Sequence, residues 1–384
     1  MRRRTLLISG AASLVILGGV GTARLHSDLS QAREPWDMAG KPYSDYRLTA
    51  LSYAVLAPSP HNRQPWLVEL TGMDGLTLYC DTSRLLPETD PFNRQITIGL
   101  GAFIHLLEMA AAQDGRALTV TYFPEGEPHP TYDERPVAHI QFSPDLSRPK
   151  DSLFPYVMER RTNRKKFENK PVETTALNAL TRSLRADSIN TFQYTQDNAE
   201  IQAIKALCVK GWEVEITTPR THHESTSLTR IGETEINANP DGVSLSGPMM
   251  EALGLIGQLS EAQMNDSTSK AFEGSRTFYN GLINSAQAFA WLVSPDNRRI
   301  SEIKAGADWL RIHLAATRAG LAFQPLSQVL QEFPEMSALY AEAHNLLDVK
   351  RPNVIQGLFR LGYAKTPLAS PRWPLQTRLI EVTE

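Results

Sequence analysis

Residues 57–66 read Ala57-Pro58-Ser59-Pro60-His61-Asn62-Arg63-Gln64-Pro65-Trp66. Two prolines flank Ser59, so the backbone is stiff and extended there. Ser59, Asn62 and Gln64 offer hydrogen-bond donors and acceptors on this rigid loop. The flanking patterns place it between a helix and a strand. Ser44 can cap a helix with Leu48, Leu51 and Val55 on its inner face, and Trp66 to Leu70 reads as a short strand. Such a loop suits the polar edge of a planar heterocycle; read alone, it is equally a proline-rich turn capped by Asn62.

A hundred residues on stands a second dense stretch, Arg160-Arg161-Thr162-Asn163-Arg164-Lys165-Lys166-Phe167. Runs of this kind are usually solvated helix faces or patches for polyanions. On the first turn of a helix, 161 and 164 share a face, and Thr162 can turn its hydroxyl and N–H to the same spot. Those are the parts needed to hold one phosphate. Lys165 and Lys166 are expected to face solvent.

Further elements follow from the same patterns. Leu76–Cys80 pairs with the first strand across a Met73-Asp74-Gly75 turn. A long helix spans about 98–114 and ends on Gly115. Strands are expected at 117–122, 137–142, 191–195, 288–293 and 354–363. Helices are expected from Asp151 through Arg161, from Thr174 to about Arg185, from Asp197 to Trp212, near 248–258 and 276–287, and from 300 to 319. The polar stretch 217–247 reads as a long inserted loop. Aligning 98–115 with 303–320 at an offset of 205 gives six identities in 18 positions: Ile98/Ile303, Gly101/Gly306, Ala102/Ala307, Ala110/Ala315, Ala111/Ala316 and Gly115/Gly320. Small residues along one face predict two closely packed helices, and the repeat predicts two copies of one α+β unit, a dimer built into a single chain.

Composition narrows the function classes. The 384 residues are 41% hydrophobic and 21% charged, with net charge −3, ordinary for a globular protein of one or two domains. A pI near 6.3 excludes a general nucleic-acid binder. Cys80 and Cys208 form no C-x-x-C pair; they read as buried thiols, or as a disulfide if the protein is exported. Arg3-Arg4-Thr5-Leu6-Leu7 leads into an uncharged run through Gly21, the twin-arginine arrangement of a Tat signal, and Gly21-Thr22-Ala23 offers small residues for cleavage. Residues 1–23 are thus a Tat-type signal or an uncleaved N-terminal anchor, and 24–43 a linker. The implied partner is the Tat translocase. The implied location is the periplasm or the outer face of the inner membrane, with membrane contact only through an uncleaved N-terminus.

The two dense stretches together resemble the nitroreductase family of FMN-binding flavoproteins, most closely its exported, Acg-like branch in which two nitroreductase units are fused. The family's P-S-x-x-N-x-Q-P-W loop matches Pro58 to Trp66 in full. Its R-R-S-x-R opening matches Arg160, Arg161, Thr162 and Arg164, with Thr for Ser. Near the C-terminus, Ser370-Pro371-Arg372-Trp373-Pro374 keeps the family's Arg but has Ser where a basic residue precedes it. Pro325-Leu326-Ser327-Gln328 stands for a P-[IL]-x-G segment, without the glycine. The resemblance implies an α+β nitroreductase-like fold as an intramolecular pseudo-dimer, with units at 44–150 and 151–384. It implies an FMN site in which Arg160, Arg161, Arg164 and Arg372 hold the phosphate and Thr162 bonds phosphate or ribityl oxygens. Pro58, Ser59, Asn62 and Gln64 would contact the ring edge or ribityl chain, and the backbone of Leu326, Ser327 and Gln328 would face flavin N5.

The implied activity is electron transfer from NAD(P)H through FMN to a nitroaromatic, quinone or similar small-molecule acceptor; the alternative is FMN storage or sequestration. No side chain is expected to act as acid or base, and no metal is expected. His222-His223-Glu224 reads as exposed loop. Asp81, Arg84, Asp90 and Arg94 read as an ion-pair network or the mouth of the pocket. The second unit lacks a P-S-x-x-N loop at 263–270, where the offset would put it, so one site is expected to be kept and its twin lost.

Overall fold

The computed structural model describes residues 28–380. The expected signal and cleavage site lie outside the described residues.

The stretch expected to be a linker folds into helix α1 (Ser30–Met38). Its polar composition hides an apolar face: Leu29, Ala32 and Trp36, spaced by three and four, are all buried. Helix α2 (Tyr46–Ala54) is capped by Asp45 rather than Ser44, the carboxylate accepting the Arg47 N–H at 2.8 Å. Strands β1 (Trp66–Thr71) and β2 (Gly75–Cys80) form the expected hairpin, with Trp66 opposite Cys80. Helix α3 (Arg94–Ala111) starts before its apolar run because Asp90 accepts the N–H groups of Gln95 and Ile96. Strands β3 (Arg116–Tyr122) and β4 (Ala138–Pro144) complete an antiparallel sheet of order β1-β2-β4-β3.

The second unit repeats this plan. Helix α4 (Thr174–Thr181) precedes strand β5 (Thr191–Thr195). Between β5 and its partner β8 (Ala288–Ser294) lie α5 (Asn198–Thr217), α6 (Pro219–Ser227), β6 (Thr229–Ile231), α7 (Gly232–Ala238), β7 (Val243–Leu245), α8 (Pro248–Leu255), α9 (Glu261–Asn265) and α10 (Lys270–Asn284). Helix α11 (Arg299–Arg318), strand β9 (Ala322–Pro325), helix α12 (Ser337–Leu346) and strand β10 (Val354–Gly362) follow. The sheet order is β5-β8-β10-β9, strand for strand that of the first unit.

Three expectations are corrected here. The insertion is the whole of 196–287, standing where the first unit has a hairpin turn, and 217–247 within it is structured. The polar residues of α6 are taken up by packing: His222 is buried with Nε2 donating to the Met264 carbonyl at 2.8 Å, and Glu224 accepts the N–H groups of Glu88 and Thr89. His222-His223-Glu224 therefore stand on a helix rather than in a loop, and only His223 keeps the expected exposure. The segment 151–164 also does not form an α-helix. It makes one 3-10 turn, Phe154–Tyr156, and then runs extended along β9, where Thr162 bridges Phe323 and Asn163 N–H donates to the Phe323 carbonyl at 2.9 Å. The bridge to Phe323 gives the Asn163 N–H its backbone partner there.

The two units meet along α3 and α11. A Cβ on Gly101 would stand 2.1 Å from the Ile303 carbonyl oxygen, and one on Gly306 would stand 2.0 Å from that of Ile98. Each glycine thus faces the other helix's copy of the same position, which is what a two-fold relation between the units requires. Arg94 and Arg299, also 205 apart, each cross into the opposite unit. Arg94 donates to the carbonyls of Leu330 and Ile355, Arg299 to those of Phe92, Pro128 and Pro130. One core spans both units, and a second lies between the insertion, the outer face of β8–β10 and α12. Cys80 packs in the first and Cys208 in the second, both as free thiols.

Candidate functional site

Residues 58–64 form a tight turn rather than the extended loop expected. His61, Asn62 and Gln64 all have positive φ, at 44°, 53° and 52°. Such conformations cost non-glycine residues of order 1 kcal/mol each and concentrate where a structure holds a functional loop. The polar side chains lock the turn. Ser59 Oγ accepts the Gln64 N–H at 2.9 Å. Asn62 donates to the Pro371 carbonyl and accepts from Arg372 at 2.7 Å. Gln64 is fully buried, donating to the Pro240 carbonyl and accepting the Trp373 N–H, both at 2.8 Å. Asn62 and Gln64 therefore tie three distant segments together: the loop, the insertion and the C-terminal tail. Gly99 on α3 lies directly beneath Ser59 and Pro60.

The arginines separate into two groups. Arg160 and Arg372 are buried, 3% and 2% exposed, and both donate to the Leu56 carbonyl, at 2.8 and 3.0 Å. Trp36 of α1 lies against Arg161 and Arg372, its ring centre 4.4 and 5.5 Å from their guanidinium carbons. Among the described residues none of these three arginines forms an ion pair with a carboxylate, and Arg161 Nε and Arg372 Nε have no hydrogen-bond partner. Burial and the neighbouring Arg161 charge lower the Arg160 pKa to about 9; burial and the charges of Arg160 and Arg161 likewise hold Arg372 well below its ordinary value. Buried like charges without an anion are costly, so the cluster has the character of an anion socket.

Arg164 stands apart. It is exposed on the surface, yet surrounding protein lowers its pKa, a combination expected of a side chain in a concave face. Its charge acts on Tyr279 of α10, on Arg360, and on His61, whose pKa falls to about 4 through burial and the charges of Arg164 and Arg63. His61 Nδ1 has no partner. Thr162 lies between the two groups on the extended segment. At the far wall, Leu326 N–H donates to the Leu358 carbonyl at 2.8 Å, leaving the N–H groups of Ser327 and Gln328 outside the sheet.

His313 of α11 is a site residue that motif reading passed over. It is buried, stacks on Phe323 at 4.3 Å, donates from Nε2 to the Arg161 carbonyl at 3.1 Å, and turns Nδ1 toward Arg160. Burial and the Arg160 charge hold it neutral. The repeat alignment carried a signal for it, because His313 sits opposite Glu108. Asp81, Arg84, Asp90 and Arg94 do not form one network. Asp81 and Arg84 join Asp241, which accepts from Arg84, Arg230 and Arg63 at 2.8, 3.0 and 3.4 Å. Asp90 caps α3, and Arg94 pairs with Glu332. Lys165 and Lys166 are exposed, as expected.

The two-fold relation gives this site a twin position. The counterpart of loop 57–65 is the α4–β5 connection, 182–190; the offset of 205 holds only beyond the insertion, so 263–270 is not the equivalent place. Arg185, Asp187 and Ser188 of connection 182–190 line a small cleft of about 80 Å³ with Gly101, His105 and Lys304. Here Glu108 replaces His313. It accepts from Arg148 at 2.5 Å, from His105 at 2.9 Å and from Arg185 at 3.3 Å. Burial opposes its ionisation, but the His105 hydrogen bond and the charges of Arg185 and Arg148 hold its pKa near 2.

No family model matches the chain. It is 25% identical over 339 residues to "Putative NAD(P)H nitroreductase acg" of Mycobacterium tuberculosis, covering 86% of this chain and 94% of that protein. It is 31% identical over 125 residues to a second protein of that organism, "Putative NAD(P)H nitroreductase Rv3131", covering 32% and 35% of the two chains. Among solved structures, a nitroreductase-like family protein from Bacillus cereus aligns with 62% of this chain and 99% of its own at 13% identity and a TM-score of 0.33. A nitroreductase with bound FMN from Bacteroides fragilis aligns with 58% and 95% at 13% identity, also with a TM-score of 0.33. The chain is thus similar nearly end to end to the acg protein, and it carries the same sheet twice about one helix pair.

Proposed function

We propose that the chain is an FMN-binding oxidoreductase of nitroreductase type. The observation that carries this reading is the cluster of Arg160, Arg161 and Arg372, buried or half-buried, without carboxylate partners and with two unpartnered Nε–H groups. A phosphate dianion neutralises such a cluster and accepts its donors. The chemistry supplied by bound FMN is electron transfer from a reduced donor such as NAD(P)H to a nitroaromatic, quinone or similar acceptor. Arg160, Arg161 and Arg372 bind the phosphate and Thr162 the phosphate or ribityl oxygens. Arg164 faces the ring end, since it lies with His61 and Tyr279 rather than with the other arginines. Asn62 and Gln64 hold the loop and the tail in register beside the ring. The N–H groups of Ser327 and Gln328 stabilise negative charge near N5. The same proposal has the chain exported by the Tat route, to act in the periplasm or anchored at the inner membrane's outer face.

Purified protein is expected to bind FMN with a visible flavin spectrum, and anaerobic NAD(P)H to bleach it. A protein that cannot be loaded with FMN defeats the reading, and a bound flavin inert to NAD(P)H and to nitro compounds makes the protein a flavin store. Arg160→Gln combined with Arg372→Gln is expected to weaken FMN binding at least 100-fold, the cost of about 3 kcal/mol for two charge-assisted contacts, while riboflavin, which lacks the phosphate, binds as to wild type.

A further inference from the structure

We infer that helix α1 belongs to this anion site: Arg33 is a further phosphate-binding residue, placed where the tail carries Ser370 instead of a cation. The inference rests on the FMN reading and extends it to a segment whose sequence gives no sign of it.

Arg33 Nε donates to the Ala369 carbonyl at 2.7 Å, next to Ser370. That bond uses one of five guanidinium donors. Among the described residues no carboxylate pairs with Arg33; burial lowers its pKa, and its own charge lowers that of Arg161. Helix α1 is fixed in this position by three hydrogen bonds, two to the tail and one to α7. Trp36 Nε1 donates to the Ser370 carbonyl at 2.8 Å, Arg372 N–H donates to the Ala32 carbonyl at 2.8 Å, and Ala32 N–H donates to Asn237 Oδ1 of α7 at 3.1 Å. The Trp36 indole then covers Arg161 and Arg372, keeping water from two guanidinium faces and strengthening their attraction for an anion. Four arginines from α1, the 160–161 segment and the tail are thus brought to one region, and among the described residues none of them is ion-paired with a carboxylate; Glu159 acts on Arg161 only from a distance. A surface arginine without this role would find a carboxylate or extend into water; Arg33 is instead turned back onto the tail, close enough to Arg161 for the two like charges to act on each other.

The experiment is a titration of FMN and of riboflavin into wild type, Arg33→Ala, and Arg33→Ala combined with Ser370→Lys, followed by flavin fluorescence. Arg33→Ala is expected to weaken FMN binding about tenfold and to leave riboflavin binding unchanged. Ser370→Lys is expected to recover most of that loss by placing a cation on the tail beside the lost Arg33 contact. Three results overturn the inference: FMN binding within twofold of wild type in Arg33→Ala, equal losses for FMN and riboflavin, or no recovery with Ser370→Lys. Failure of wild type to bind FMN overturns the flavin reading instead. Arg33 is then judged with inorganic phosphate alone, which is expected to raise the melting temperature of wild type more than that of Arg33→Ala; equal shifts overturn its role.

Discussion

The two ends of the α3–α11 pair share one architecture and differ in the charge at one equivalent position. At one end His313 is neutral and leaves Arg160 and Arg372 without a counterion. At the other, Glu108 draws Arg148, Arg185 and His105 onto itself. Arg148 and Arg372 both follow the last-paired central strand of their own unit, so each unit delivers an arginine from its tail. A carboxylate inside the first cluster would fill it; a carboxylate inside the second has done so. Duplicated sites diverge most cheaply this way, because an internal counterion satisfies buried cations without any change of fold.

His313→Glu should make the first end like the second. The new carboxylate would pair with Arg160, and FMN binding is expected to fall by at least 100-fold, with the protein still folded because a buried cation gains a partner. Retention of FMN within tenfold in this variant would falsify the counterion account. The two-fold relation itself is tested at the helix crossing. Gly101→Ala and Gly306→Ala each push a Cβ into a backbone carbonyl of the facing helix, and each is expected to cost about 1–3 kcal/mol, to a similar extent, in denaturant unfolding. A cost confined to one of the two would mean that the crossing is not symmetric. Smallest is the effect of releasing the second end. Glu108→Gln frees Arg148 and Arg185, and with the flavin site filled, 50 mM phosphate is expected to raise its melting temperature by about 1–2 °C more than that of wild type, the shift of a site with a dissociation constant on the order of 10 mM. Equal shifts would show that those arginines do not recreate a socket.

Most of the regular structure was legible. The hairpin at 66–80, the Asp197 cap and the glycine stops at 115 and 320 all follow from local rules, and local rules act through neighbouring residues. What was misread depended on distant partners. Helix α1 reads as linker because its apolar face is three residues wide and is completed by the tail and α7. The 160–164 run reads as a helix start because its spacing allows one, but Phe323 offers a strand edge instead. The extent of the insertion was underestimated because α5 and α10 are ordinary amphipathic helices, indistinguishable by composition from the repeated unit.

The sequence by itself determined that two copies of one α+β unit share the chain, since the small residues that let α3 and α11 approach must recur at a fixed interval. It also determined which stretches hold the polar and cationic groups, because rigid prolines and clustered arginines are local properties. Only the tertiary structure decided which arginines act together. Charge interacts through space, so Arg33, Arg160, Arg161 and Arg372 form one group across more than 300 residues, while Arg164, three residues from Arg161, belongs to another.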